Sequence, residues 1–494
     1  MSQLPDYVAS AQPNPKENRA PWLTTTAATY AGIMLWFIFW SYMPGQGGAG
    51  GVLSQGLLFA LVSLVIAAFI CYACFYHVPA MLGMKTGLPL YIVGTSTYGV
   101  QGGFLMPGFL MGCLQFGWLS VNGFGAGTGL TSILLQVPLA DVFGAAFFSK
   151  LWFMSVGIGT IWAIIAAFIG LKGIHYVGKV ATYAPIIPIV ALLALLAFTV
   201  GGIFSFDPQS AINADIAVAA AADPPVVIEP TALYGIGLLG SLGGQLGILA
   251  LICAYVVGFF ATAGAAGCDF GSNNKDRNAV IYAGLVGIVG ATVFAGGIAL
   301  VAIAGAQGMG TADVTLNPYG SMKAIMGGTM GGIFMFLLAL AAFPAACFST
   351  LIASNSFKTT LPKVNPFISC GIGTAVACLL IISTVAGKAP VVFGFIGASF
   401  GPVCGAMMAD YLLSGKKWAG PRAGFNPAGW ISLVGGFLFG ALPLLPRVLG
   451  GELCAAIIPC PPVAAFLVGF GLYYALAKAG MESPKLDMPQ RIDN

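Results

Sequence analysis

The polar side chains inside one apolar stretch are where chemistry is most plausible. The run Gly112-Cys113-Leu114-Gln115-Phe116-Gly117-Trp118-Leu119-Ser120-Val121-Asn122 carries four of them, Gln115, Trp118, Ser120 and Asn122, all too polar to face lipid. Gln115, Trp118 and Asn122 fall at i, i+3 and i+7, so they share one face of a helix. An amide beside an indole offers a flat heterocycle a stacking surface with paired donor and acceptor groups. The plainer role is helix-to-helix hydrogen bonding, about 0.6 kcal/mol per bond in membranes. A second set follows at Phe260, Thr262 and Ala263. Phe260 would supply another aromatic wall, while Thr262 and backbone amides freed around Ala263 would bond the ligand. The plainer role for Phe260 is packing. Ser41, Tyr42, Asp269 and Phe343 are candidate coupling or gating positions. Asp269 competes between carrying a proton and pairing structurally with Lys275, Arg277 or a neighbouring helix.

The elements that must position these residues are membrane helices. Of 494 residues 58% are hydrophobic and only 7% charged, too few to coat a soluble protein of this length. Long unbroken apolar runs exclude a β-barrel, whose strands alternate. Runs long enough to cross hydrocarbon lie at about 24–44, 53–76, 100–126, 150–171, 179–203, 243–266, 279–305, 325–354, 366–386, 390–413, 427–446 and 455–477, twelve in all. Placing the N-terminus inside puts fifteen Lys and Arg residues on the cytoplasmic side and only Lys150, Lys323, Lys388 and Arg447 outside. That asymmetry obeys the positive-inside rule and predicts both termini in the cytoplasm. The first 20 residues read as a cytoplasmic tail and not as a signal peptide.

Two spans carry breakers. The first ends at Trp40-Ser41-Tyr42-Met43-Pro44-Gly45-Gln46-Gly47-Gly48, and the sixth contains Thr262-Ala263-Gly264-Ala265-Ala266-Gly267. Interrupted helices five spans apart point to two inverted five-helix repeats with a binding site near the bilayer midplane. No phosphate-binding loop, HExxH or nucleophile with a credible base is present, so neither an enzyme nor an ATP-driven pump is expected. Cys71 and Cys74 form a CxxC without further ligands, and no metal or cofactor is expected. Cys454 and Cys460 flank a predicted outer loop and could pair. The small net charge of +4 does not suggest nucleic acid.

The chain resembles the nucleobase:cation symporter-1 family, the purine–cytosine, allantoin and hydantoin permeases. The likeness is densest at Met84-Lys85-Thr86-Gly87-Leu88, Thr97-Tyr98-Gly99-Val100-Gln101-Gly102 and Gln115-Phe116-Gly117-Trp118. It continues at Ala263-Gly264, Cys268-Asp269-Phe270, Gly401-Pro402-Val403, Ala409-Asp410-Tyr411-Leu412 and Phe425-Asn426. The resemblance implies an all-α LeuT-type fold of ten core helices in two inverted repeats plus two peripheral helices. It implies alternating access, with Trp118 and Phe260 sandwiching the ligand ring, Gln115 bonding its edge, and Thr262 with the Ala263 backbone completing the pocket.

One stretch departs from the family. Sodium-coupled members place hydroxyls on helix eight, and cytosine carriers also asparagines. Here Ala339-Leu340-Ala341-Ala342-Phe343-Pro344-Ala345-Ala346-Cys347 has no side-chain oxygen before Ser349. A hard cation wants several oxygen ligands, so proton coupling or facilitated passage is expected over sodium, unless a shifted register brings in Ser349 or Thr350. The expectation is a plasma-membrane permease importing a small neutral heterocycle. Its parts are a tail (1–23), a first repeat (24–203), an external loop (204–242), a second repeat (243–413), peripheral helices (414–478) and a C-terminal tail (479–494). A permease of the same fold for allantoin, a hydantoin or a vitamin precursor is the alternative, with a non-transporting sensor behind it.

Overall fold

The computed structural model describes residues 4–172, 185–220, 244–445, 458 and 460–488. Among the described residues nine helices are long and apolar enough to cross a bilayer, and three shorter apolar ones bring the number to twelve. In chain order they are α1 (Ala28–Ser41), α2 (Leu57–Thr86), α3 (Phe104–Leu135), α4 (Lys150–Leu171), α5 (Ile186–Ser205) and α6 (Gly244–Ala265). The second half holds α7 (Arg277–Gly308), α8 (Gly328–Lys358), α9 (Pro366–Ile382), α10 (Val391–Leu413), α11 (Pro427–Ala441) and α12 (Pro461–Lys478). No strand forms among the described residues. The chain is a multi-pass membrane protein, as its apolar run lengths require. Cys460 forms no disulfide among the described residues, and Cys454, its expected partner, lies outside them.

Small residues set how closely these helices approach, since lipid offers no hydrophobic drive between them. A Cβ on Gly127 of α3 would lie 2.2 Å from the Ser155 carbonyl of α4, and one on Gly405 of α10 2.2 Å from the Phe466 carbonyl of α12. The tightest contact relevant to function is at Gly83 of α2, where a Cβ would sit 1.9 Å from the Cys268 carbonyl. Gly83→Ala should therefore cost about 1–3 kcal/mol through overpacking, read as a lower thermal midpoint in detergent. An unchanged midpoint would mean α2 does not press on residues 267–271.

Both chain tails lie on one side, called here the tail face. Tyr7 donates to the Val100 carbonyl, and the Val100 N–H donates to the Arg422 carbonyl at 2.8 Å. Arg422 in turn reaches Glu482 in the C-terminal segment at 2.6 Å. The N-terminal tail also crosses the ends of α2 and α6, through Asn14 N–H to Gly87 and Ala20 N–H to Asn273.

The α1 break is not where proline and glycine signal it. The helix turns out of register at Leu35 (ψ 6°) and Trp36 (φ −69°, ψ 88°), then resumes over Phe37–Ser41. Residues 42–48 merely follow its end. Carbonyls at and beyond the break are taken by distant side chains: the Trp40 indole N–H donates to Met34, and the Tyr255 hydroxyl to Phe39 at 2.7 Å. In hydrocarbon an interruption persists only when its backbone is satisfied this way.

The α6 expectation also needs correction. The helix runs unbroken through Ala265 and kinks at the single residue Ala266 (φ −62°, ψ −9°) before a short turn, Gly267–Gly271. Ala263 lies inside the helix, so its N–H is not freed. The group released by the kink is its carbonyl, and the Tyr30 hydroxyl occupies that at 2.8 Å. A third interruption falls in α8 at Ala342, just before Pro344, which has no N–H to continue the ladder.

Candidate functional site

A cavity of about 60 Å³ opens between α1, α3, α6 and α8. A single water needs roughly 10–15 Å³ by this measure, so the space has room for several waters or a small ring. Gln115, Trp118 and Asn122 all reach it from α3, as their spacing predicts, and Thr262 and Ala263 reach it from α6. Trp118 is buried and turned inward. Its indole N–H donates to the Thr262 hydroxyl at 3.0 Å, and its ring stacks on Phe393 of α10 with centroids 4.7 Å apart and planes at 19°.

The aromatic wall from α6 is Phe259, not Phe260. Phe259 lines the cavity edge-on to Trp118, 5.1 Å away at 88°. Phe260 faces away and packs on Tyr30 at 5.7 Å. Helical phase explains the difference. Phe259, Thr262 and Ala263 are i, i+3 and i+4 and share a face, whereas Phe260 is two positions from Thr262 and must diverge. The signal was present in the spacing. Trp36, Phe270 and Phe348 also line the cavity without having been assigned to it from the sequence, and Ser349, one of the two residues a shifted α8 register would bring in, reaches it too.

The polar groups differ in how far they are already committed. Asn122 accepts from the Trp162 indole at 3.0 Å and donates to the Ala342 carbonyl at 3.1 Å, so it ties α3 to α4 and to the α8 break. That is the helix-to-helix role. Gln115 is different: its amide N–H meets only the Met111 thioether at 3.5 Å, and its carbonyl oxygen has no partner among the described residues. The Thr262 hydroxyl accepts from Trp118 but spends its own proton on no described residue.

The other candidates scatter. Ser41 is fully buried and donates to the Ile38 carbonyl at 2.7 Å, away from the cavity. Tyr42 borders a separate cavity that adjoins this one at Trp36. Phe343 packs edge-on against Trp162 at 4.9 Å. From α8 the cavity receives Ala345, Phe348, Ser349 and Ile352, and the Ser349 hydroxyl already leans on the Ala345 carbonyl at 3.4 Å. Thr350 points elsewhere, toward Gly170 of α4. The wall thus holds one α8 hydroxyl and no α8 amide.

Two acids, buried Asp410 and half-buried Asp269, have opposite surroundings. Asp410 near the end of α10 pairs with buried Arg422 at 3.1 Å and accepts from Ser96 at 2.7 Å and Thr97 at 3.2 Å. Asp269, beyond the end of α6 in the Gly267–Gly271 turn, makes no ion pair with Lys275, Arg277 or any other described cation. Its carboxylate accepts from the Leu90 N–H at 3.3 Å and leans on its own backbone N–H. Burial pushes its pKa up to about 6. The adjoining Phe270 ring lines the cavity and packs edge-on to Tyr30 at 5.3 Å.

No protein-family model matches the chain, and no curated protein matches it by sequence. Solved structures do match in fold. Mhp1 in an inward-facing conformation aligns with TM-score 0.61 at 15% identity, over 95% of this chain and 94% of that one. Mhp1, described as a nucleobase-cation-symport-1 family transporter, in a closed conformation with bromovinylhydantoin bound, aligns with TM-score 0.58 at 14% identity, over 97% of each chain. A Na+-coupled sialic acid symporter in a substrate-bound outward-open state aligns with TM-score 0.50 at 12% identity, over 98% of this chain and 93% of that one. The fold is the LeuT type, with interrupted α1 and kinked α6 in corresponding places of two five-helix halves and α11 and α12 outside them.

Proposed function

We propose that the chain is a secondary permease that carries a small neutral heterocycle across the plasma membrane by alternating access, with protons as the driving ion. One observation carries the reading: a buried, uncommitted amide at Gln115 faces the same space as two orthogonal aromatic rings, Trp118 and Phe259. A ring bearing an adjacent donor and acceptor would satisfy this amide, each such bond contributing about 0.5–1.5 kcal/mol net. The Thr262 hydroxyl adds a donor beside it. No charged side chain among the described residues lines the cavity, in keeping with a neutral solute. The bound state of Mhp1 with bromovinylhydantoin is a precedent for a flat ring in this fold. The lack of an α8 amide favours, as a second reading, a hydantoin-like ring with fewer polar edges than cytosine.

Proton coupling is supported by the α8 wall and by Asp269. A single hydroxyl on α8 is a thin oxygen set for sodium. Asp269 has no counter-ion among the described residues, lies next to a cavity residue and sits just past the α6 kink, so its charge state bears on how that turn docks against Leu90. The Tyr30 hydroxyl next to this turn is spent on the Ala263 carbonyl at 2.8 Å. With a pKa near 6 the carboxyl is neutral on an acidic side and charged on a neutral one.

The test is uptake of labelled nucleobases and hydantoins into vesicles containing the purified chain, with imposed pH or sodium gradients. Uptake should follow the pH gradient and ignore sodium. Asp269→Asn should remove gradient-driven accumulation while sparing ligand exchange at equal concentrations. Strict sodium dependence, or wild-type accumulation by the variant, would overturn the coupling scheme.

A further inference from the structure

Four cations crowd the tail face at the ends of three spans. Lys85 lies in the last turn of α2, Arg277 opens α7, and Lys416 and Lys417 follow the end of α10 at Leu413. Segments far apart in the chain thus bring them to the water end of the helices, the depth of lipid headgroups. Lys85 donates across to the Lys416 carbonyl at 2.6 Å, and its ammonium stands 5.7 Å from the centre of the Tyr411 ring. Lys417 and Arg277 are close enough for their charges to act on Lys85, and Arg277 is close enough to act on Tyr411 as well.

The backbone holds these charges together against their own repulsion. Gly415 (φ 68°) and Lys416 (φ 62°) are successive left-handed residues, and the Lys416 N–H returns to the Tyr411 carbonyl at 2.8 Å. A lysine seldom adopts that conformation, and here it presents its carbonyl to Lys85. Among the described residues none of the four cations has an acid partner, whereas Arg422 on the same face has two. The neighbouring carboxylate of Asp276 is turned back to cap α7, accepting from the Ala279 N–H at 2.8 Å. Lys416, Lys417 and Arg277 are exposed. Like charges gathered in this way repel, and an anion among them relieves the repulsion. Exposed Leu412 lies beside Tyr411, and exposed Tyr282 lies five residues into α7 from Arg277, paired with Trp22 at 6.0 Å. Apolar and aromatic surface next to a basic cluster at a helix end suits a lipid better than a soluble anion.

We propose that this cluster binds the headgroup of an anionic phospholipid, its phosphate shared by Lys85, Arg277 and Lys417 and its chains lying along Leu412 and Tyr282. The guanidinium takes two phosphate oxygens and the ammonium groups act as point charges. The bound headgroup ties the ends of α2, α7 and α10 together, beside the turn after α6 on which Gly83 presses.

The experiment is native mass spectrometry of the full-length chain released from detergent, titrated with dioctanoyl phosphatidylglycerol, dioctanoyl phosphatidylcholine or inorganic phosphate. The chain should retain one phosphatidylglycerol saturably, and neither of the others. Each surface cation contributes about 5-fold to such binding, so Lys417→Gln should weaken it about 5-fold and Arg277→Gln with Lys417→Gln about 30-fold. Neither side chain bonds a described residue, so the lipid-free thermal midpoint should not move. Lys363→Gln, an exposed cation between α8 and α9, should retain the lipid as the wild type does. No saturable retention, equal retention of phosphatidylcholine, wild-type affinity in the double variant, or an equal loss in Lys363→Gln overturns the proposal. Inorganic phosphate bound as tightly as the lipid overturns the lipid as the occupant.

Discussion

Trp118→Ala abolishes saturable uptake while the protein still reaches the membrane. The indole forms one wall of the cavity, braces Phe393 at 4.7 Å and orients the Thr262 hydroxyl at 3.0 Å, so truncation removes a stacking face and scrambles a hydrogen-bonding one. Stacking of a base on an aromatic side chain is worth about 1–3 kcal/mol by alanine substitution, or about 5- to 150-fold in affinity. The wall toward the cavity beside Tyr42 also loses a ring, so residual passage should become leaky and unsaturable. Trp118→Phe separates the contributions: it keeps a ring against Phe393 but cannot donate to Thr262, and should fall between the two. Uptake kinetics are the measurement, with surface amount checked in parallel. Wild-type kinetics in Trp118→Ala would remove the proposed site.

Arg422→Met has a comparable effect by another route, through stability. The Arg422 and Asp410 side chains are 2% and 4% exposed and 3.1 Å apart, and Arg422 also holds Glu482 at 2.6 Å. Deleting one partner strands the other charge away from water, at a cost of about 3–5 kcal/mol. The expected result is a sharply lower thermal midpoint or failure to purify as a single species. Asp410→Asn combined with Arg422→Met should recover much of that loss, since removing both charges is often near neutral. A single variant that melts like the wild type, or a double variant no better than the single, would contradict this account.

How much of this was legible in the sequence depends on whether a feature is internal to one helix. Apolar run length is internal: the run at 150–171 coincides with α4, and all twelve runs have a helix in place. The shared face of Gln115, Trp118 and Asn122 is internal too, and all three meet at one cavity. The α1 break is not. Leu35 and Trp36 are ordinary helix residues, and the turn there is sustained by Trp40 and by Tyr255 from another helix. Pro44 and the nearby glycines drew attention to the wrong end. In α6 the run of small residues pointed to an opened segment, yet alanines are good helix formers and only Ala266 departs. Choosing between Phe259 and Phe260 required the phase of α6 against α3, which Thr262 could have supplied. The fate of Asp269 and Asp410 was not readable, because each depends on segments far away in the chain, Leu90 for one and residues 96, 97, 422 and 482 for the other.

The Arg422 cluster also sets an order of events during synthesis. Its backbone carbonyl receives Val100, made more than 300 residues earlier, while its second anion comes from Glu482, made sixty residues later. A ribosome that has delivered Arg422 and Asp410 has a guanidinium still short of one carboxylate, with α12 and the closing segment yet to emerge. Membrane insertion can run helix by helix from the start, but the tail face sets only once residue 482 has arrived. Chains terminated between α12 and that point should span the bilayer and yet be turned over as unfinished.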